Sequence, residues 1–225
     1  MPRKPAAPED LSAKKALALE VIARLKKEYP DAACTLDYDH AWQLLVSVRL
    51  AAQCTDARVN IVVEDLFAKY PSVAALAAAE PEEIEAIVKP CGLGHSKARD
   101  ISACMRMLRD KYDCKVPTTF EELLSLPGVG RKSANLIMGD VFGKPAIVTD
   151  THCIRLCNKI GLVDGIKEPQ KVEMALWKII PPEEGSDLCH RFVMHGRAVC
   201  NARKPECEKC CLRDICRYAG ENAAT

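Results

Sequence analysis

The 225-residue sequence is poor in aromatic residues and glycine, and it contains no long hydrophobic run. Aromatic residues make up 5% of the chain, and 11 glycines and 14 prolines are too few for a turn-rich β-sandwich or barrel. No apolar segment approaches the roughly 18 residues that a membrane-spanning helix needs. The charged N-terminal segment is not followed by the apolar stretch of a secretory signal. The sequence therefore predicts a helical, cytoplasmic protein that does not enter a membrane.

The sequence also lacks an excess of charge of either sign. Its 32 basic and 31 acidic residues give a net charge of +1, which excludes a disordered acidic or basic tail protein. The balance argues neither for nor against nucleic acid as a partner, because any basic binding face would be local.

Apolar residues recur at helical spacing along almost the whole chain. Leu17, Val21 and Leu25, for example, repeat every four residues and predict a first helix. Thr118 and Glu121 have the spacing of a capping box at the start of another helix. Further helices are predicted over residues 132–141, 151–160, 169–180 and 186–199. The pattern as a whole predicts an all-α fold.

One short segment departs from the helical pattern, and the composition changes beside it. Residues 146–148 (Ala-Ile-Val) look extended but are too few to seed a sheet. Residues 143–145 (Gly-Lys-Pro) separate closely spaced helical patterns from a segment that ends in a cysteine cluster. Because the connections are short throughout, we predict two helical lobes that share one cleft.

Thirteen cysteines are the main anomaly of the composition. An odd number without an export signal indicates reduced thiols rather than disulfides. Cys200, Cys207, Cys210 and Cys216 have the spacing C-x6-C-x2-C-x5-C, and four such thiolates hold either an iron–sulfur cluster or structural zinc. Cys211 is expected to be a spare thiol. Basic residues that could compensate the thiolate charge or face phosphates are Arg203, Lys204, Lys209, Arg213 and Arg217.

A glycine-rich turn at residues 126–130 (Leu-Pro-Gly-Val-Gly), which we call the hairpin turn, separates two helical patterns. Pro127 cannot continue the first helix, and the glycines permit a left-handed backbone or the close approach of a ligand. Their N–H groups and the start of the next helix form an anion site suited to a DNA phosphate. Gly-x-Gly alone is usually a turn, but the following Arg131 and Lys132 make the match specific to a helix–hairpin–helix element.

Lys132 and Asp150 are the charged residues that could carry chemistry. A lysine in the first turn of a helix is most often a solvated surface cation, yet the positive helix end disfavours its charge and favours the neutral amine that a nucleophile needs. Asp150 precedes Thr151 and His152, and its simplest interpretation is the N-cap of the following helix. A capping carboxylate can also face a cleft.

In these motifs the sequence resembles the endonuclease III family of DNA glycosylases, within the helix–hairpin–helix, Gly/Pro-rich loop, Asp superfamily. The order and spacing of the motifs agree from about residue 12 to about residue 217. The segments that carry the resemblance are residues 126–134 (LPGVGRKSA), 148–152 (VTDTH), the four-cysteine loop, 50–56 (LAAQCTD) and 92–97 (GLGHSK).

The resemblance implies a two-lobed architecture with DNA bound across the junction. A six-helix barrel lobe is expected over residues 34–144, with the helix–hairpin–helix at about residues 118–141. An iron–sulfur lobe is expected over residues 1–33 together with residues 145–225. The protein would be a monomer, nucleoid-associated if prokaryotic, and its partner would be double-stranded DNA that contains damaged pyrimidines or abasic sites.

The resemblance also implies a cofactor and a reaction. Cys200, Cys207, Cys210 and Cys216 would bind a 4Fe-4S cluster. The protein would remove oxidised pyrimidines and cleave abasic sites by β-elimination through a lysine Schiff base, as a bifunctional glycosylase and lyase in base excision repair.

Individual residues take roles from their positions in the family motifs. Lys132 resembles the nucleophile and Asp150 its carboxylate partner. Gln53 resembles the residue that fills the space of the extruded base, and Leu93 the wedge that enters the opposite strand. One departure is Gly94, directly after the wedge, where relatives often carry bulkier residues, and it bears on how rigidly the wedge is held. Further expected DNA contacts are Gly128, Gly130, Arg131 and His152.

Two other functions fit parts of the pattern. A monofunctional adenine or mismatch glycosylase would share the fold and the cluster, but such enzymes generally lack a lysine at the position of Lys132. A non-catalytic DNA-binding or redox protein would use the hairpin turn and the cluster alone. The presence of both Lys132 and Asp150 disfavours that interpretation.

Overall fold

The computed structural model describes residues 8–223, in which helices are joined by short turns and no residue belongs to a β-strand. The prediction of an all-α fold is confirmed. The described chain forms two compact units, one over Cys34–Gly143 and the other over the chain up to Ala33 together with the chain from Lys144 onward. Residues 1–7 and 224–225, which the expected iron–sulfur lobe includes, lie outside the described residues.

Side-chain caps fix the starts of several α-helices in the Cys34–Gly143 unit. Thr55 accepts the N–H of Arg58 at 3.3 Å, and Ser72 accepts the N–H of Ala75 at 3.1 Å. The helices are α2 (Ala41–Leu50), α3 (Asp56–Lys69), α4 (Val73–Ala78), α5 (Pro81–Val88), α6 (Gly94–Lys111), α7 (Phe120–Ser125) and α8 (Arg131–Asp140).

The core of this unit lies along α6, against which α4 and α5 pack. Ala98, Ile101, Met105 and Leu108 form one buried stripe on α6, as their spacing of three and four residues requires. Helix α8 packs against α2 and α7. The hairpin turn between α7 and α8 is therefore anchored by packed helices on both sides.

The other unit combines the first helix with the C-terminal helices. Val21 and Leu25 of the first helix are fully buried, and this helix packs on α11. Ion pairs add to the packing, because Lys14 contacts Asp164 and Arg24 donates to Asp214. The helices are α1 (Pro8–Glu28), α9 (Thr151–Ile160), α10 (Pro169–Leu176), α11 (Gly185–Ala198) and α12 (Arg217–Ala223).

Several helix boundaries differ from the expectation, and α8 and α11 each begin and end one residue earlier than predicted. The N-cap of α7 is Thr119 rather than Thr118, and Thr119 accepts the N–H of Glu122 at 3.3 Å. Helix α10 ends at Leu176 instead of residue 180, and residues 177–179 form a turn. None of the described helices is long and apolar enough to cross a membrane.

Candidate functional site

The two glycines of the hairpin turn lie in different environments. Gly128 has a left-handed backbone (φ +75°), and a Cβ on it would lie 2.9 Å from Cβ of Asp100 and 3.1 Å from Cδ of Arg49. Arg49 donates from Nε to Oδ2 of Asp100 at 2.7 Å. The turn thus rests against an ion pair, and both backbone conformation and packing require glycine at position 128.

Gly130 is the N-cap of α8 and faces open space. Its backbone is extended (φ −95°, ψ 176°), and no heavy atom lies within 4 Å of a Cβ built on it. Because glycine has no side chain, the first turn of α8 lacks a side-chain cap. Within the described residues, the N–H groups of Gly128 and Gly130 have no backbone acceptor either. These donors are available to an anion.

Lys132 lies in the first turn of α8 and is exposed. Its ammonium group has no hydrogen bond or ion pair with any residue that the structure describes. The neighbouring Arg131 is half-buried, and its guanidinium lies 4.9 Å from the centre of the Phe120 ring. The unpartnered amine of Lys132 therefore lies close in sequence to the unpaired N–H groups of Gly128 and Gly130.

Asp150 is the N-cap of α9, as its simplest interpretation predicted. Its Oδ1 accepts the N–H of Cys153 at 2.7 Å, and the residue is half-buried. The segment before it, residues 146–149, is buried and belongs to no helix or strand, and the N–H of Val148 donates to Sγ of Cys189 at 3.2 Å. Capping uses one carboxylate oxygen, which leaves Oδ2 for another donor or for a positive charge.

His152 belongs to the packing between α9 and α11. Its Nδ1 lies 3.1 Å from Nη2 of Arg155, and a Cβ on Gly196 would lie 2.4 Å from the same atom. Nη2 of Arg155 also donates to the carbonyl of Cys200 at 2.9 Å. The structure thus links His152 to the cysteine loop, and its contact with DNA stays a prediction.

Gln53 and Leu93 lie in two turns of the Cys34–Gly143 unit, residues 51–54 and 89–93, which we call the insertion turns. Both residues have left-handed backbone, with φ of 59° and 51°, a conformation that is uncommon for residues other than glycine. Both side chains are exposed, and Leu93 keeps 58% of its surface accessible. The structure therefore displays both side chains at the tips of strained turns.

Gly94, where relatives often carry bulkier residues, makes a close backbone contact. A Cβ on Gly94 would lie 3.2 Å from Cα of Lys89. The next residue, His95, adds a side-chain contact, with Nδ1 3.0 Å from Oε2 of Glu85. The start of α6 is thus packed directly onto the insertion turn that carries Leu93.

Lys97 is the residue of this region that sequence reasoning missed. It is fully buried, and its Nζ donates to the carbonyls of Leu50 and Cys91, each at 2.8 Å. Burial lowers the pKa of Lys97 from its ordinary value. No feature of the sequence marks this lysine, because a lysine on an amphipathic helix is ordinarily exposed.

Four cysteines of the C-terminal loop line one cavity. Cys200, Cys207, Cys210 and Cys216 line one partly open cavity, and Cys211 is not among its lining residues. Within the described residues, no group of three or more His, Cys, Asp or Glu side chains is arranged to hold a single metal ion. The four thiols form a donor set that fits a thiolate-bound metal centre.

The surroundings of these thiols are apolar and partly buried. Burial raises the pKa of the Cys210 thiol to about 11 and also raises the pKa of Cys200. Holding thiolates here therefore requires a positive centre. Nε2 of His195 lies 3.3 Å from Sγ of Cys210, and its Nδ1 lies 3.1 Å from the hydroxyl of Tyr29. Cys211 instead offers its carbonyl to Arg24 at 3.0 Å.

The basic residues of the loop divide into two groups. Lys209, Arg213 and Arg217 form ion pairs with Glu206, Glu208 and Asp164. Arg203 and Lys204 are exposed, and in the part of the chain that the structure describes their side chains form no hydrogen bond or ion pair. These two side chains are the ones available to an external anion.

Comparison with known proteins identifies the family. Residues 46–182 match the family described as HhH-GPD superfamily base excision DNA repair protein. Endonuclease III of Synechocystis sp. is 44% identical over 210 residues, which cover 93% of this chain and 95% of that protein. A solved trapped endonuclease III–DNA covalent intermediate is 40% identical with a TM-score of 0.88, and the match covers 93% of this chain and 98% of that one. A thermostable thymine-DNA glycosylase, 22% identical with a TM-score of 0.80, shares the fold.

The matches extend over nearly the whole chain and include the hairpin turn, Lys132 and Asp150. The helical fold and the sequence identity lead to the same assignment. The chain belongs to the HhH-GPD superfamily of base excision DNA repair proteins and, within it, to the endonuclease III family of DNA glycosylases that also cleave at abasic sites.

Proposed function

We propose that this protein excises oxidised pyrimidines from double-stranded DNA and then cuts the strand at the abasic site by β-elimination. The observation that carries the proposal is the exposed, unpartnered amine of Lys132 in the first turn of α8. An amine in this position can act as a nucleophile, whereas a monofunctional glycosylase uses a carboxylate and water. The names of the matched proteins support this reaction class.

DNA binding would begin with contacts to phosphate that do not depend on sequence. The N–H groups of Gly128 and Gly130 and the start of α8 supply donors for one phosphate. The exposed side chains of Arg203 and Lys204 supply cations for others. Such contacts position the protein without reading the base, and the affinity should fall as salt rises.

The lesion would then leave the base stack, because its sugar cannot be attacked inside a duplex. Gln53 would fill the space of the extruded nucleotide, and Leu93 would enter the opposite strand. Both roles are consistent with exposed side chains on turns whose backbone is strained. Opening the duplex by side chains on rigid turns avoids an entropic penalty for ordering them during binding.

Lys132 would carry the covalent chemistry. Its neutral Nζ attacks C1′ of the sugar, and the damaged base departs with the electron pair of the glycosidic bond. Opening of the sugar ring gives an imine between Nζ and C1′, which makes the C2′ proton acidic. Loss of that proton expels the 3′ phosphate and cuts the strand, and water then releases the lysine. Asp150 would stabilise the positive charge on the sugar or move a proton.

The four cysteines that line one cavity would hold a 4Fe-4S cluster. When bound, the cluster supplies the positive iron centre that buried thiolates need, and it ties the loop that carries Arg203 and Lys204 to the helical core. Zinc is the alternative centre for four thiolates, and the iron content of the purified protein distinguishes the two.

Reduction by borohydride tests the covalent step. The wild-type protein, incubated with an abasic or thymine-glycol duplex and borohydride, should form a stable protein–DNA adduct. Lys132→Gln should abolish the adduct while leaving DNA binding, because the hairpin turn and the basic loop are unchanged. Lys115→Gln, a change at another exposed lysine of the same unit, is the matched control and should trap like the wild type. An adduct that peptide mapping places on Lys144 would overturn the assignment.

The same assay separates the alternative functions. Release of the damaged base without strand cleavage would indicate a monofunctional glycosylase. Binding of the duplex without base release or cleavage would indicate a non-catalytic DNA-binding protein.

A further inference from the structure

We propose that Lys97 is a positioning residue, whose ammonium group holds the two insertion turns in the shape with which Gln53 and Leu93 enter duplex DNA. This role rests on the proposed function of those two residues.

The burial of Lys97 sets it apart from the other lysines. Among the described residues it is the one lysine that is buried, with 0% of its surface accessible. A buried ammonium group is unfavourable unless its protons are bound. Here its two short hydrogen bonds, at 2.8 Å each, go to backbone carbonyls and not to a carboxylate. A packing role alone would be filled better by an apolar side chain of the same length, so the donors themselves are the reason for a lysine.

The carbonyl of Leu50 lies directly before one insertion turn, and the carbonyl of Cys91 lies within the other. Leu50 is the last residue of α2, directly before the turn that carries Gln53. Cys91 ends the short helical turn directly before Gly92 and Leu93. The Lys97 side chain thus connects the backbone of both turns. The backbone N–H of Lys97 also donates a hydrogen bond to the carbonyl of Leu93 at 3.0 Å.

The turns need such support because both are strained. Gln53 and Leu93 have left-handed backbone with φ of 59° and 51°, and such conformations persist only where the surrounding structure holds them. Burial and the neighbouring Cys54 thiol raise the pKa of Cys91 to about 11, so Cys54 of one turn lies near Cys91 of the other. Removal of the ammonium group would leave both carbonyls without a donor and would uncouple the two turns.

Incision of two DNA substrates tests this role. The first is a duplex with one abasic site, where both turns must enter the helix. The second is the same abasic strand without its complement, where there is no opposite strand to enter. Lys97→Met keeps the length and fills the space but removes the donors. It should lower kcat/KM on the duplex by about tenfold or more, as misplacement of positioning groups does, and leave the single strand within about twofold of the wild type.

A matched control separates positioning from stability. Leu108→Ala removes a fully buried side chain from the same helix, about 16 Å further along it. It should destabilise the protein but affect the two substrates equally. Lys97→Gln, which keeps a shorter donor, should fall between the wild type and Lys97→Met on the duplex, and it provides the comparison if Lys97→Met does not fold.

A double variant tests whether Lys97 acts through the wedge. In a Leu93→Ala background, Lys97→Met should cause a smaller further loss on the duplex than it causes alone. Equal losses on both substrates, or fully additive losses, would overturn the positioning role. Failure of the wild type to cleave either substrate would instead overturn the proposed function, so the two failures are distinguishable.

Discussion

Three glycines of the Cys34–Gly143 unit allow backbone strain, packing and phosphate binding to be separated. Gly128 combines a left-handed backbone with close contacts, and Gly143 has a left-handed backbone (φ +59°) with no heavy atom within 4 Å of an added Cβ. Gly130 is extended and equally open. Alanine at each position therefore adds a different combination of effects.

The expected losses of stability follow from these environments. A left-handed backbone costs a residue with a Cβ about 1–2 kcal/mol, and an overpacked contact adds about 1–3 kcal/mol. Gly128→Ala should therefore lower the free energy of unfolding by about 2–5 kcal/mol, and Gly143→Ala by about 1–2 kcal/mol. Gly130→Ala should lower it by less than about 1 kcal/mol, because alanine is only a poorer N-cap.

The alanine variants are expected to rank differently in DNA affinity than in stability. A methyl group at residue 130 projects where a phosphate would approach the backbone donors, and loss of one hydrogen bond to a charged group weakens binding by about tenfold. Gly130→Ala should show this loss on duplexes of any sequence, because phosphate contacts do not read bases. Gly143→Ala should bind like the wild type. Urea denaturation measures the stability, and fluorescence anisotropy with a labelled duplex measures the affinity.

Two results would refute this reasoning. Wild-type affinity in Gly130→Ala would show that the N–H groups of the hairpin turn do not hold phosphate. Wild-type stability in Gly128→Ala would show that the contacts with Arg49 and Asp100 do not restrict that position.

Three further predictions concern the cysteine loop, the carboxylate and an ion-pair network. Anaerobically purified protein should be yellow-brown with about four irons per chain. Cys211→Ser should keep both the colour and the iron content. Zinc in place of iron would contradict the assignment of a 4Fe-4S cluster. Asp150→Asn should keep the cap of α9 and the melting temperature, but slow strand cleavage by about 10²–10⁴-fold, and a rate near that of the wild type would exclude the carboxylate from the reaction. Lys14 and Arg217 hold the pKa of Asp164 below its usual value. The stabilisation of the folded protein by these ion pairs is therefore present above pH about 4 and is lost as the pH falls through the pKa of the folded state. Asp164→Asn should destabilise the protein by about 0.5–1 kcal/mol at neutral pH and should have no effect on urea denaturation in strong acid.

The sequence determined the helical class and much of the local structure. Helix α9 has the bounds that its periodicity predicts, and Asp150 caps it, because both features depend on residues within one or two turns of each other. The boundaries of α7, α8 and α11 were wrong by one residue, and the end of α10 was wrong by four. Two adjacent threonines offer equivalent caps for α7, and the apolar pattern after Leu176 continues although the helix does not.

The motifs also determined which residues are candidates for chemistry, but the roles of Lys132, Asp150 and the four cysteines stay proposals. Their spacing could show that the right groups occur in the right order. The sequence also led to the expectation that Cys211 is a spare thiol, and in the structure Cys211 is not among the residues that line the cavity.

Only the tertiary structure decided how the side chains around these motifs are used. Lys97 has the sequence context of a surface lysine, and its burial depends on the carbonyls of Leu50 and Cys91, which lie 47 and 6 residues before it. Gly128 and Gly130 are alike in sequence, yet one packs against an ion pair formed by α2 and α6 while the other faces open space. Local propensity acts over a few residues, whereas burial and close contact are set by segments that meet only in the folded chain.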